Sequence, residues 1–164
     1  MNTILETYLN KLTESMKPKI LYHCSSKQNM KQLHSSYNLT NALTPVEKTS
    51  SNIKWTYAAD TPKMASAFGF QWNDRMGIKF GSISNSPDKP DHKNYTLEIP
   101  KKHVHLIMKP CSMYTLDNST FYIVPGNFKG EYRSQQKIIN ILSEKKFKSC
   151  KKCMEYYKVK VKVI

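Results

Sequence analysis

Arginine is nearly absent from this chain, Arg75 and Arg133 being the only two. That scarcity limits what the net charge of +14 can mean. Bidentate contact to guanine is arginine's strength, so a field built from lysine meets phosphates rather than base edges. Long apolar runs are missing as well. No stretch approaches the roughly 20 residues of a membrane helix, and residues 1–15 lack the basic flank and apolar centre of a secretion signal. A cytoplasmic protein with no membrane partner is the expectation. Cysteine is limited to Cys24, Cys111, Cys150 and Cys153, and without a secretion signal these are expected as reduced thiols. Cys150-x-x-Cys153 is half of a zinc spacing, with His103-x-His105 as the other half on offer. There is no second CxxC, and the flanking lysines would repel a cation. Local packing is therefore the expected role, with no metal. No repeat or linker interrupts the 164 residues. They read as one domain, 1–164, able to bury roughly two-thirds of its unfolded surface.

Lysine is what the chain has in quantity, much of it late. It recurs in Lys145-Lys146-Phe147-Lys148, in Lys151-Lys152 and in the alternating Lys158, Lys160 and Lys162. Such a field steers nucleic acid, ribonucleoprotein or anionic surfaces toward the protein. A solvated lysine-rich face with no partner accounts for the same charge, and both readings stay open.

Residues Thr3 to Leu12 read as an amphipathic helix within an N-terminal segment 1–16. Ile4, Leu5, Tyr8, Leu9 and Leu12 recur at helical spacing, and Thr3-x-x-Glu6 is a capping box. Pro18 ends it. Ile20 to His23 reads as a strand, Lys27 to Leu33 as one or two helical turns, and Ser35 to Asn52 as a long surface loop. A second strand, Trp55 to Ala58, runs into Asp60-Thr61-Pro62, a capping side chain followed by a first-turn proline. Met64, Ala67 and Phe68 share a face of the helix that follows, which Gly69 can end. Gly77 to Ile83, Tyr95 to Ile99 and His103 to Met108 read as strands. Residues 84–93 form a turn region, and Tyr114 to Val124 holds further strands. Gln135 to Leu142 fits strand or helix equally. The basic segment 145–164 ends in a strand, where Tyr157, Val159, Val161 and Val163 alternate with lysines. Early helices and later antiparallel strands make the chain α+β.

Two of these strands carry the chemistry. Ile20-Leu21-Tyr22-His23-Cys24-Ser25-Ser26 and Trp55-Thr56-Tyr57-Ala58-Ala59-Asp60 each hold one able ring, His23 or Tyr57, and each ends in small or polar residues suited to a strand mouth. Two such strands can sandwich a flat, charged ligand in a shared cleft, which Glu131 would complete. Tyr22-His23-Cys24-Ser25 resembles the "YHG[ST]" first strand of the ADP-ribosyltransferase superfamily. Tyr57-Ala58-Ala59-Asp60, with Ala65, Ala67 and Phe68 downstream, resembles its "YAT…A…A" element. Tyr95-Thr96-Leu97-Glu98-Ile99-Pro100 is similar to the "Y-x-[VL]-E" strand of small bacterial and phage members. Gly130-Glu131-Tyr132-Arg133-Ser134 resembles the "E-[WY]-x-S" segment. The resemblance runs from Ile20 to about Ile139 and is greatest to the diphtheria-toxin-like branch with a His-Tyr-Glu triad. Two positions depart from the pattern: Cys24 stands where the family has glycine, and Ala59 where it has threonine.

The resemblance implies two packed, mostly antiparallel sheets around an NAD cleft, with short flanking helices. It implies His23, Tyr57 and Glu131 as catalytic residues, with Glu98 a competing acid ranked second. His23, Cys24, Ser25, Tyr57, Ala58, Phe68 and Arg133 would bind NAD, which serves as co-substrate. The implied activity is transfer of ADP-ribose from NAD to a macromolecular acceptor, whether nucleic acid, ribonucleoprotein or protein. An intracellular effector, a toxin with an antitoxin partner, or a phage modifier acting on a host protein all fit. The alternative is a module of the same fold that has lost catalysis and binds nucleic acid or protein through its basic surface. An RNA 2′-phosphotransferase shares the fold but uses several arginines around its histidine, and this chain has too few.

Overall fold

The strand around His23 becomes the hub of the larger sheet. In the computed structural model, which describes residues 18–34, 37–38, 54–82, 94–123 and 130–164, β1 (Ile20–Ser25) lies between β7 (Cys111–Asp117) and β4 (Lys54–Ala59). On one side β7 pairs with β10 (Ile138–Phe147), which pairs with β2 (Gln32–His34). On the other, β4 pairs with β9 (Glu131–Ser134), which pairs with β8 (Tyr122–Ile123). A short β3 (Tyr37–Asn38) also lies against β4, giving eight strands, all antiparallel to their neighbours. The smaller sheet runs β11 (Lys160–Val163), β6 (Tyr95–Ile99), β5 (Lys79–Ser82). There β5 is antiparallel to β6 and β11 is parallel to it. The fold is α+β, with two mostly antiparallel sheets and a few short helices.

β1 is buried on both faces because its alternation serves two cores. Leu21, fully buried, packs with Ala58, Tyr114, Leu116 and Tyr132 on one side of the sheet. Tyr22 and Cys24 point to the other side, into a core shared with Leu97, Ile99 and Val159 of the smaller sheet or its flank. Full burial of a leucine stabilises the fold by about 1.5–3 kcal/mol, so the register of β1 is strongly fixed. Helix α1 (Pro62–Ser66) forms where the sequence signals it, with Thr61 as the cap: its Oγ1 accepts from the Met64 N–H at 3.3 Å.

Three local expectations are corrected. Residues Lys27 to Leu33 are not helical. Asn29 has a φ of 62°, which interrupts a helix, and Leu33 enters β2 opposite Ile139. The expected strand from His103 to Met108 is instead a 3-10 turn followed by α2 (Val104–Ile107). Val104 and Ile107, three apart, both reach the core, whereas Met108 is exposed. The basic tail holds an unexpected helix, α3 (Cys150–Tyr156), capped by Ser149 Oγ accepting from the Lys152 N–H. Cys150, Cys153 and Met154 form its buried face. The open choice at Gln135 to Leu142 resolves as strand: β10 is ten residues long, with its register shifting between Ile141 and Ser143. The expected helix at 3–12, the turn region 84–93 and most of the 35–52 loop lie outside the described residues. No helix among the described residues is long and apolar enough to cross a membrane.

Candidate active site

His23, Tyr57 and Glu131 lie on three neighbouring strands of the larger sheet, β1, β4 and β9. The β4–β9 ladder sets Tyr57 opposite Arg133 and Ala59 opposite Glu131. Opposed residues share a face and successive residues alternate, so Tyr57, Glu131 and Arg133 belong to one face. β1 meets β4 through a single pair, Tyr22 with Ala59. The same alternation assigns His23 to the opposite face, with Leu21. Its ring is nevertheless tied to β4, because Nδ1 donates to the main-chain oxygen of Tyr57 at 2.7 Å. A carbonyl oxygen only accepts, so Nδ1 carries the proton and Nε2 is left as an acceptor in the neutral ring. Burial pushes the His23 pKa below 6.5, while the bond to Tyr57 opposes that shift. The result is a neutral imidazole held at the seam where β1 and β4 part.

Glu131, half-buried, opens β9. The residue before it, Gly130, has a φ of 91°, a conformation costly for any side chain. A Cβ there would also collide with the carboxylate of Asp60, whose amide donates to the Gly130 carbonyl at 2.8 Å. The glycine thus sets the direction from which Glu131 enters the sheet. Asp60 is a second acid packed on the neighbour of Glu131, and the sequence offered it only as a helix start. Burial, reinforced by the Asp60 charge, raises the pKa of Tyr132.

The remaining candidates divide. Arg133 is 7% exposed and its guanidinium sits 4.0 Å above the Trp55 ring. There it braces β4 against β9 through a cation–π contact. Ala58 is buried in the core on the Leu21 side, opposite Tyr132. Ser25 Oγ accepts from the Lys27 N–H at 3.1 Å, turning the chain out of β1. Phe68 is 47% exposed, stacked on Trp72 at 5.8 Å and edge-on to Phe80 at 5.9 Å. Cys24 points away from Tyr114 and His23 into the inter-sheet core, its Sγ 3.7 Å from that of Cys111 and 4.0 Å from that of Cys153. Glu98 lies in the smaller sheet, opposite Lys79 on one side and Lys162 on the other.

One polar node went unanticipated. Glu144 Oε2 accepts from Ser112 Oγ at 2.7 Å and from the Asn29 N–H at 2.9 Å. The Tyr114 hydroxyl lies 3.0 Å from the same oxygen and 2.7 Å from the Lys27 carbonyl. Desolvation raises the Glu144 pKa, but these bonds outweigh it and hold the carboxyl below its usual 4.5. The node pins residues 27–30, the exit of β1, to β7 and β10. Only the register of three strands brings these residues together, so no local motif could have marked them.

No protein-family model, curated protein or solved structure matches this chain. What the site can do follows from its own chemistry. Tyr57 and Glu131 stand on one face of the sheet, and a neutral imidazole on the other face is fixed to the Tyr57 main chain at the seam between β1 and β4.

Proposed function

We propose that the protein transfers ADP-ribose from NAD to a macromolecular acceptor, using the β1–β4–β9 region of the larger sheet. One observation carries this reading: three candidate residues far apart in sequence fall on three adjacent strands, with the His23 ring fixed by the main chain of Tyr57. The nicotinamide ring of NAD is planar and positive, so a tyrosine face holds it with about 0.5–2 kcal/mol of cation–π and stacking energy. Tyr57 has that role. β1 and β4 share only the Tyr22–Ala59 pair, and at the gap between them Nε2 of His23 accepts from a ribose hydroxyl and sets the sugar's orientation. Breaking the bond between the ribose C1′ and the nicotinamide nitrogen leaves positive charge on the sugar while nicotinamide departs with the bonding pair. Glu131 stabilises that charge and receives the proton of the acceptor nucleophile as the new C1′ bond forms.

The lysine-rich surface favours encounter with a polyanionic acceptor such as nucleic acid or ribonucleoprotein, and a protein acceptor also fits. The test incubates the purified protein with labelled NAD and, separately, total RNA, DNA and cell lysate. Label entering one fraction, and absent with Glu131→Gln, establishes both the activity and the acceptor class. No transfer, together with no NAD-induced rise in Tm, replaces this reading with a non-catalytic binding module. A ligand at 100 times its Kd adds about 2.7 kcal/mol of stability, so real binding would be visible.

A further inference from the structure

All four cysteines of the chain converge in the core between the two sheets, arriving from three separate elements. Cys24 comes from β1, Cys111 from the first position of β7, and Cys150 and Cys153 from one face of α3. All are buried, Cys24 at 4% exposure and the other three at 0%. The sulfurs of Cys24, Cys111 and Cys153 lie within 4.8 Å of one another. Two of those separations are 3.7 and 4.0 Å. A disulfide needs about 2.05 Å, whereas a tetrahedron of sulfurs about 2.3 Å from a zinc ion has edges of about 3.8 Å. The geometry points to a closed structural zinc site with Cys24, Cys111, Cys153 and Cys150 as its four thiolate ligands.

Cys150 is the fourth ligand because water cannot reach the site and no other histidine or acidic side chain among the described residues joins the group. Its thiol now donates to the Gly69 carbonyl at 3.2 Å, a bond it gives up on turning to the metal. Gly69 makes room for the cluster: a Cβ there would stand 2.6 Å from Cys24 Sγ and 3.4 Å from Cys150 Sγ. Charge also fits. Binding Zn²⁺ releases the four thiol protons to solvent and leaves a centre of net charge −2. The lysines expected to repel a cation, Lys146, Lys148, Lys151 and Lys152, therefore favour the complex. His103, half-buried, and His105, exposed, the ligands suggested by spacing, lie outside this group.

The test uses the full chain, purified without chelator after expression in zinc-supplemented medium, and measures metal by mass spectrometry. About one zinc per chain is expected. Cobalt exchanged into the site should give the absorption of a tetrahedral tetrathiolate centre, and stripping the metal should lower Tm. Cys150→Ser should shift the cobalt spectrum to that of three thiolates, or abolish loading if the variant does not fold. Zinc-free protein that is folded, keeps the same Tm when zinc is added and shows four reactive thiols on unfolding would overturn the site. It would leave a packed thiol cluster in its place. A wild-type cobalt spectrum in folded Cys150→Ser would overturn the four-thiolate assignment.

Discussion

His23 and Cys24 are adjacent on β1, yet the regions they enter have the opposite character. The His23 region is built from single bonds across a seam: one β1–β4 pair, one imidazole-to-carbonyl hydrogen bond, one glycine setting the entry to Glu131. Its polar groups are half-buried, with an acceptor nitrogen left for a ligand. The Cys24 region is closed, with four sulfurs and their aliphatic neighbours excluded from water. Under the proposed function, the contrast separates a ligand-facing region from one that holds two sheets together. The contrast bears on position 24, where the resembled motif has glycine. A glycine there would serve a ligand; the cysteine here serves the core behind it.

The contrast is sharpest if mutations on the two sides have opposite signatures. The largest expected effect is Glu131→Gln, which should reduce NAD-dependent transfer by about 10²–10⁴-fold, the range for losing a positioned acid–base group. Its Tm and NAD-induced thermal shift should stay at wild-type values. Full turnover in that variant would remove Glu131 from the chemistry, and Asp60, packed on Gly130, would be the next acid to replace.

Cys24→Gly probes the border itself, since it restores the glycine of the resembled motif. Loss of a buried side chain and added backbone freedom should cost roughly 2–3 kcal/mol, read as a lower midpoint in denaturant, and should empty the metal site. Higher transfer activity at unchanged stability would instead assign Cys24 to the ligand side and erase the contrast. Gly130→Ala should fall between the two signatures. Forcing a side chain into the left-handed conformation costs about 1–3 kcal/mol, and the displaced Asp60 shifts Glu131 with it. Both Tm and transfer should drop; a fall in only one would show that Gly130 belongs to a single region.

Much of this arrangement was legible because it rests on local signals. The alternation in β1, β4 and β6 follows from apolar residues at every second position, and α1 follows from Thr61-Pro62. The order of the three candidate residues along the chain also carried over to adjacent strands. What was not legible depends on partners distant in sequence. α3 was missed because its buried stripe is only Cys150, Cys153 and Met154, set among lysines with no longer apolar run to reveal a helical period. The strand expected at His103 to Met108 failed because Val104, Leu106 and Met108 alternate as in a strand while Val104 and Ile107 are spaced as in a helix, and the core contact of Ile107 decides between them. Cys24 and Cys111 are 87 residues apart. Only the β1–β7 register, with Cys24 opposite Met113, brings them together. If the proposed zinc site forms, the lysines change role for a related reason: a two-cysteine fragment with zinc is neutral, whereas four thiolates give a centre of net charge −2.

The smallest effect concerns Glu144, which belongs to neither region but anchors the exit of β1 that both share. Its carboxylate faces Tyr114 and Ser112 of β7, the Asn29 amide, and Lys146 on its own strand. Its folded pKa is depressed below 4.5. Its contribution to stability is therefore fully present above pH 4.5 and is lost as pH falls through the folded value. Glu144→Gln keeps an acceptor oxygen but cannot titrate. The variant should be slightly less stable than wild type near neutrality, with the gap closing as the solution is made acid. Denaturant midpoints measured from neutrality down through pH 4.5 would trace this convergence. A gap that stays constant with pH would mean the node holds residues 27–30 through shape alone, with the charge of Glu144 playing no part.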